Sequence, residues 1–261
     1  MLHHEIIENL ANKMRLRQSH VMRFLEGKPS VWDKMTTHET SLSIYTADEI
    51  LRLAEQGEAS VIRGWGASHL LGEVKHVVRV RVCATEGVRT ERMMQRLNTT
   101  DKDAVEKEIR LSDEAHSAIM RRHFDVNWKD AEHYDLVLNT GRLSVDECIS
   151  AIMNAIKLPA FQETSASAQA LRDLALQAHV RAALRLDERT KKLNIVVTAA
   201  NGHITLGGIT EKNDDIKYCA DVSAAVSGVS GVTNQLKSTS RDFRRFDSQG
   251  AADPVCSAHS Y

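Results

Sequence analysis

The sequence predicts an α/β protein made of two units. Up to about residue 158, short apolar segments alternate with amphipathic segments, which is typical of a parallel sheet covered by helices. From residue 169 to 238 the order becomes helix, strand, strand, helix, strand, which predicts a small α+β domain. The segment 159–168 (PAFQETSASA) is small and polar and is interpreted as a linker, and the polar segment 239–261 is predicted to be a disordered tail.

In the first unit, hydrophobic spacing and capping residues place each element. A helix is predicted over residues 3–13, and a second one from Thr46, with Glu49 completing a capping box, to Glu55. A helix that begins with a capping box at Thr100 and Asp103 is predicted to reach residue 123. Short apolar or alternating runs predict strands over residues 59–63, 77–83 and 135–138. Further helices are predicted over residues 86–97 and, capped by Ser144 with Glu147, from 144 to 157.

The second unit carries a hairpin signal. A helix with an apolar stripe through Leu171 and Ala182 precedes an alternating strand from 193 to 199. Asn201-Gly202 predicts a type I′ turn, because both central residues of that turn need positive φ. The return strand, a helix and a last strand follow, over residues 203–206, 216–226 and 232–237.

Composition excludes several classes of protein. The chain has 34 Lys and Arg against 35 Asp and Glu, which argues against a dedicated binder of nucleic acid or of an anionic membrane. The four cysteines form no C-x-x-C pair and have no histidine at zinc-finger spacing, so reduced thiols are predicted. No secretory signal or 18-residue apolar run is found, so we expect a cytoplasmic protein without a transmembrane segment.

Long stretches of the first unit resemble the cytidylate-kinase-like family of nucleoside monophosphate kinases. The segments that carry the resemblance are VIRGWGASHLL at 61–71, RMMQRL at 92–97, EIRLSDEAHSAIMRRHFDVNW at 108–128 and YDLVLNTGRLSVDEC at 134–148. The segment 171–236 resembles a BON domain, through VRAALRLDERTKKLNIVV, NGHITLGGIT and GVSGVTNQL. The first resemblance implies a P-loop kinase fold, ATP with Mg²⁺ as donor and a pyrimidine nucleoside monophosphate as acceptor. The second implies binding to a phospholipid surface or another macromolecule.

The phosphate-binding loop of that family has no counterpart in the sequence. Phosphoryl transfer needs a glycine-rich loop followed by Lys and Ser or Thr, and the Gly27-Lys28 pair is instead followed by Pro29. We therefore expect a parallel sheet that lacks its first strand, and no phosphoryl transfer by the chain as written. A start at Met1 and an incomplete start both remain open.

Candidate ligand-binding residues are arginines in the segments that resemble the kinase family. Bidentate arginine contacts are suited to phosphate, whereas the alternative for each arginine is a solvated helix face. Trp65 is a packing residue or a stacking surface for a base, and His116 and His123 are expected to be packed or hydrogen-bonded residues at the edge of the core rather than catalysts. We expect no catalytic residue and no metal ligand. The predicted nucleotide or phosphate ligands are Arg63, Arg92, Arg96, Arg110, Arg121 and Arg122.

Two functions are compatible with these features. In the first, the chain is a nucleotide-binding protein derived from a nucleoside monophosphate kinase. In the second, a degenerate kinase fold serves as a scaffold or sensor, and the BON-like domain recruits it to a lipid or protein surface.

Overall fold

The computed structural model describes residues 2–14, 16–25, 39–55, 57, 61–64 and 66–240. The helices of the first unit are α1 (Leu2–Met14), α2 (Gln18–Leu25), α3 (Glu39–Glu55), α4 (Ala67–Leu70), α5 (Glu86–Leu97), α6 (Lys102–Phe124) and α7 (Val145–Ala155). Its strands are β1 (Val80–Cys83) and β2 (Leu136–Asn139). The second unit contains α8 (Ser165–Leu186), β3 (Val196–Ala200), β4 (His203–Gly207), β5 (Ile209–Thr210), α9 (Asn213–Ala224), β6 (Gly231–Asn234) and β7 (Lys237–Ser238).

Strands β1 and β2 form a parallel pair, with Val80 opposite Leu136 and Cys83 opposite Asn139. The connection between them runs through α5 and α6, so the predicted alternation of strands and helices is confirmed. That the first unit has the strand order of a P-loop kinase stays a prediction.

The strand predicted over residues 59–63 is wrong at residues 61–63, which are not in a strand, and residues 59 and 60 lie outside the described part. Val61 is 77% exposed, so burial does not hold this segment in a sheet. The chain turns directly afterwards, where Gly64 and Gly66 both have positive φ.

Helix α3 is longer than its capping signal predicts. It begins at Glu39, which places Thr46 inside the helix rather than at its N-cap. The extra turns bury Leu42 and Tyr45 against Ile7 and Leu10 of α1. Tertiary burial therefore outweighs the local capping signal at Thr46.

Two predicted helix starts have different outcomes. The capping box at Ser144 is confirmed, because its hydroxyl accepts from the Glu147 amide while the Glu147 carboxylate accepts from the Ser144 amide. At α6 the cap is Asp101 rather than Thr100, since the Asp101 side chain accepts from the Ala104 amide at 2.9 Å. Apart from this shift, α5, α6 and α7 begin and end close to their predicted limits.

The second unit is a three-stranded sheet in the order β3-β4-β6, with a small parallel pair formed by β5 and β7. Strands β3 and β4 are antiparallel and β4 and β6 are parallel. Asn201 (φ 51°) and Gly202 (φ 79°) occupy the hairpin turn, which confirms the type I′ prediction.

The segment predicted as a linker is partly helical. It contains a 3-10 turn at Pro159–Phe161 and the first turn of α8, which Thr164 caps. Ser167 in that turn is buried, and its hydroxyl shares a hydrogen bond of 2.8 Å with Nδ1 of His76. The domain limits 1–158 and 169–238 stay a prediction, and residues 241–261 of the predicted tail lie outside the described part.

Helix α8 contributes to three hydrophobic clusters, and Ala182 belongs to the one formed by α1 and α3. One face packs Leu171, Ala175 and Ala178 into a cluster with Leu51 of α3 and with Leu71, which directly follows α4. The opposite face packs into the core of the second unit. The α8 residues in that core are Leu176, Val180 and Leu184.

Candidate functional site

A cleft of about 830 Å³ lies between α5 and α6. Three arginines of α5 line it along one helical face, and Arg63 reaches it from the segment before α4. The residues that line the cleft are Arg63, Arg89, Arg92, Met93, Arg96, Glu108, Ile109, Ser112, Asp113, His116 and Trp128.

Arg89 is fixed by a fork-shaped ion pair across the two helices. Its Nη1 and Nη2 each donate to one oxygen of Asp113, both at 2.7 Å. The hydrogen bond from Arg89 lowers the pKa of Asp113, and the same contact raises the pKa of Arg89. Both carboxylate oxygens are therefore occupied, and the charge of Arg89 is largely balanced.

Arg92 joins α5 to the end of the sheet. Its Nη1 donates to the hydroxyl of Thr140 at 2.9 Å, and its Nη2 donates to the Thr140 carbonyl at 2.7 Å. Thr140 directly follows β2 and its amide donates to the carbonyl of Cys83, the last residue of β1, at 2.9 Å. Arg92 thus lies at the carboxyl end of two parallel strands, where ligands of α/β proteins usually bind.

Arg63 and Arg96 are exposed and line the same cleft. Among the residues that the structure describes, neither one has an ion-pair or hydrogen-bond partner. A guanidinium group in that situation keeps all its donors available for an anionic ligand.

His116 and Trp128 close one side of the cleft. Their rings meet edge to face with centroids 4.6 Å apart, and the Trp128 indole donates to the Ser117 hydroxyl at 2.9 Å. Burial lowers the pKa of His116, which Asp113 only partly offsets, so the imidazole is neutral near pH 7. The guanidinium of Arg81 lies 5.1 Å from the centre of the Trp128 ring. These contacts agree with the predicted packing role of His116.

The other predicted ligands lie elsewhere. Arg110 and Arg121 line a neighbouring groove of about 600 Å³, where Arg110 pairs with Glu86 at 3.5 Å. Arg122 lines neither of these two cavities. His123 is exposed in the last turn of α6, so it does not pack at the edge of the core, although it has an interaction partner. Trp65 lies outside the described residues.

Two contributions to the cleft were not predicted. Asp113 holds Arg89, and Thr140 holds Arg92. The regular spacing of Arg89, Arg92 and Arg96 is visible in the sequence, but nothing local links these arginines to partners 24 and 48 residues away.

The cleft does not fit a Mg²⁺ ion. Its described carboxylates are Glu108 and Asp113, and Asp113 has both oxygens on Arg89. The described residues contain one cluster of potential metal ligands, Asp130, Glu132 and His133, and none of the three lines the cleft. We therefore derive no metal-dependent step, and ATP with Mg²⁺ stays an expectation from the family resemblance.

The fold and the cleft define an α/β protein with an arginine-lined cleft at the carboxyl end of two parallel strands. Residues 1–142 match the model of the cytidylate kinase-like family, and residues 172–239 match the BON domain. Because the first match covers more than half of the chain, the protein belongs to the cytidylate kinase-like family. No curated protein matches the chain. Within the described part of the chain, none of the helices has the length and apolar character needed to cross a membrane.

Proposed function

We propose that the chain is a nucleotide-binding protein and that the cleft between α5 and α6 binds the phosphate of a nucleoside monophosphate. The observation that carries this proposal is the pair Arg63 and Arg96 beside Arg92, since neither of the two has a partner in the part of the chain that the structure describes. Membership of the cytidylate kinase-like family supports a pyrimidine nucleotide as the ligand.

The charge of the cleft supports an anionic ligand. Its lining has four arginines against two carboxylates, and His116 is neutral. Two positive charges are therefore left over, which matches a phosphate monoester with about −1.5 to −2 charges at pH 7.

The fixed arginines serve as positioning groups. Asp113 holds Arg89 and Thr140 holds Arg92, so these two side chains lose little rotamer freedom when a ligand enters. Arg63 and Arg96 then supply the donors that are free to form bidentate contacts with phosphate oxygens.

Titration of the full chain with cytidine monophosphate, measured by calorimetry, tests this proposal. We expect Arg96→Ala and Arg63→Ala each to weaken binding about tenfold or more, because a hydrogen bond to a charged group contributes about 1.5–3 kcal/mol. Arg172→Ala is the matched control, since Arg172 lies on α8 and its guanidinium donates to Gln169. The proposal is wrong if the wild type does not bind, or if Arg172→Ala weakens binding as much as Arg96→Ala.

Phosphoryl transfer is a separate question with its own assay. A coupled assay of ADP release with cytidine monophosphate and ATP–Mg²⁺ is expected to give no turnover from these 261 residues. Turnover of roughly 1–100 s⁻¹, the usual kinase range, would contradict that expectation. It would show that another segment supplies the contacts to the ATP phosphates.

A second proposed function concerns the BON match. Ile209 is 68% exposed on β5, and its register partner on β7 is the exposed Lys237. Val196, at the start of β3, is 62% exposed. An apolar side chain beside a lysine is suited to an anionic phospholipid surface, where the lysine contributes about 1 kcal/mol.

Co-sedimentation with vesicles of phosphatidylcholine and phosphatidylserine tests this second function. We expect the full chain to bind vesicles that contain phosphatidylserine, and Ile209→Glu and Lys237→Glu each to reduce binding. Val145→Glu is the control, because Val145 is 70% exposed on α7 and lies outside the BON match. No binding by the wild type, or equal loss with Val145→Glu, would contradict the proposal.

A further inference from the structure

The two units share a buried charged contact as well as helix α8. On α8, Nδ1 of His179 donates a hydrogen bond to Oδ1 of Asp48 on α3. The other oxygen of Asp48 accepts from Nζ of Lys13, on α1, at 2.8 Å. The Asp48 side chain is only 8% exposed, so this carboxylate is held between a cation of each unit.

The groups that face His179 come from both helices packed near it. On α3, Glu55 lies 3.8 Å from Nε2 of His179, in addition to Asp48. On α1, Lys13 is the nearby cation and opposes protonation of His179. Two carboxylates therefore oppose one ammonium group, so the balance favours the charged imidazole.

Small and apolar side chains of α8 pack on either side of the contact. Ala178 and Ala182 flank His179 along α8 and are buried, which lets α8 approach α3 closely. Ala182 packs in the cluster formed by α1 and α3, and Ala178 packs in the cluster that contains Leu51. A buried carboxylate that loses one of its two hydrogen-bonding partners regains little hydration, so removal of His179 is costly even though Lys13 remains.

We propose that Asp48 and His179 form a proton-dependent latch that holds α8, and with it the C-terminal unit, against α3. The latch is closed when His179 carries a proton and Asp48 does not. Because the other face of α8 forms part of the core of residues 196–236, loosening the latch loosens that core.

The pH window follows from the two groups. The hydrogen bond to Asp48 raises the pKa of His179 above 6.5, against the effect of burial. Its contribution to stability is thus complete below pH 6.5 and is lost as pH rises through the raised value. For Asp48, burial would raise the pKa, but hydrogen bonds from His179 and Lys13 outweigh burial and lower it from 3.8. Its contribution is lost as pH falls through that lowered value, so the latch holds between the two limits.

The buried thiol of Cys219 provides a probe of the C-terminal unit in the full chain. Cys219 is 0% exposed and packs in the same core as Val180. Its alkylation requires opening of that core, and peptide mass analysis separates it from the other three cysteines. All three tryptophans precede α8 in the sequence, so their fluorescence reports on the first unit.

The experiment compares the alkylation rate of Cys219 in His179→Gln with that in the wild type, from pH 5.5 to 9. The ratio of the two rates cancels the pH dependence of the thiol itself. At pH 6 we expect Cys219 to be alkylated about ten times faster in His179→Gln than in the wild type, because residues in contact have coupling energies of that order. The ratio of the two rates should fall toward one as pH rises. The tryptophan fluorescence of His179→Gln should match that of the wild type.

Two further variants make the outcome decisive. His203→Gln is the control, because His203 is an exposed histidine of the C-terminal unit whose ring shares a hydrogen bond with the Thr233 hydroxyl, far from α3 in the sequence. Glu55→Gln is the milder change and serves even if His179→Gln does not fold. Because Glu55 helps to raise the pKa of His179, the alkylation profile of Glu55→Gln should have its midpoint at a lower pH than that of the wild type. A ratio of one at pH 6, a ratio that does not change with pH, or an equal effect of His203→Gln would each overturn the latch.

Discussion

Substitution of Gly202 by valine tests the hairpin at the centre of the C-terminal unit. Gly202 has φ 79°, a conformation that β-branched residues avoid. Its neighbours prevent the turn from relaxing. The Gly202 carbonyl accepts from the Ser230 amide at 2.8 Å, and the Asp173 carboxylate accepts from the amides of Asn201 and Gly202 at 3.0 and 3.2 Å.

The expected cost combines backbone strain and crowding. A left-handed conformation costs a non-glycine residue roughly 1–2 kcal/mol. A Cβ at Gly202 would also lie 3.3 Å from the Ser230 hydroxyl oxygen and 3.4 Å from the Gly228 carbonyl, so the neighbours must move. We therefore expect the free energy of unfolding to fall by about 2 kcal/mol.

Urea unfolding of the full chain measures this loss, with Cys219 alkylation as the probe of the C-terminal unit. For a slope of about 1–3 kcal/mol/M, the midpoint should fall by roughly 1 M. Gly207→Val is the matched control on β4, where an added Cβ meets only Cβ of Val196 at 3.9 Å. Equal midpoints for Gly202→Val and the wild type would refute the turn geometry, as would an equal loss in Gly207→Val.

Three further predictions concern the first unit. Asp113→Asn removes the charge that Arg89 pairs with, so the free energy of unfolding, measured by urea unfolding followed by tryptophan fluorescence, should fall by about 1 kcal/mol, whereas the exposed Asp103→Asn should change it little. Ser144→Ala removes the cap of α7 and should cost about 1 kcal/mol, measured by circular dichroism, and an unchanged midpoint would contradict the cap. Burial would raise the pKa of Asp135, but its hydrogen bonds from Arg79 outweigh burial and lower it from 3.8. The stability that the Asp135–Arg79 pair contributes should therefore be present above pH 3.8 and be lost as the pH falls through the lowered pKa of Asp135. Asp135→Asn should accordingly reduce the dependence of the free energy of unfolding on pH between about pH 2 and 6.

Local sequence signals determined several elements of this protein. The Asn201-Gly202 turn, the Ser144 capping box and the strand Val80–Cys83 each depend on residues within a few positions of one another, although the strand was predicted to begin at residue 77 and residues 77–79 are not part of it. The stripe of Arg89, Arg92 and Arg96 is likewise a property of one helix. Such features are predictable because the energy that fixes them, in capping, turn geometry or periodic burial, is local.

The tertiary structure decided the remainder. The start of α3 at Glu39 depends on burial against α1, and the orientation of Arg89 depends on Asp113 across the helix pair. The polar segment before Ser167 was predicted as a linker because its composition is that of a loop, yet its helical turn packs beside His76. The largest such effect is α8, whose two opposite faces pack in the cores of the two units and whose His179 contacts Asp48, 131 residues away in the sequence. A sequence pattern shows that a helix has apolar positions, but only the folded chain determines which surfaces bury them, because those contacts join residues that no local interaction relates.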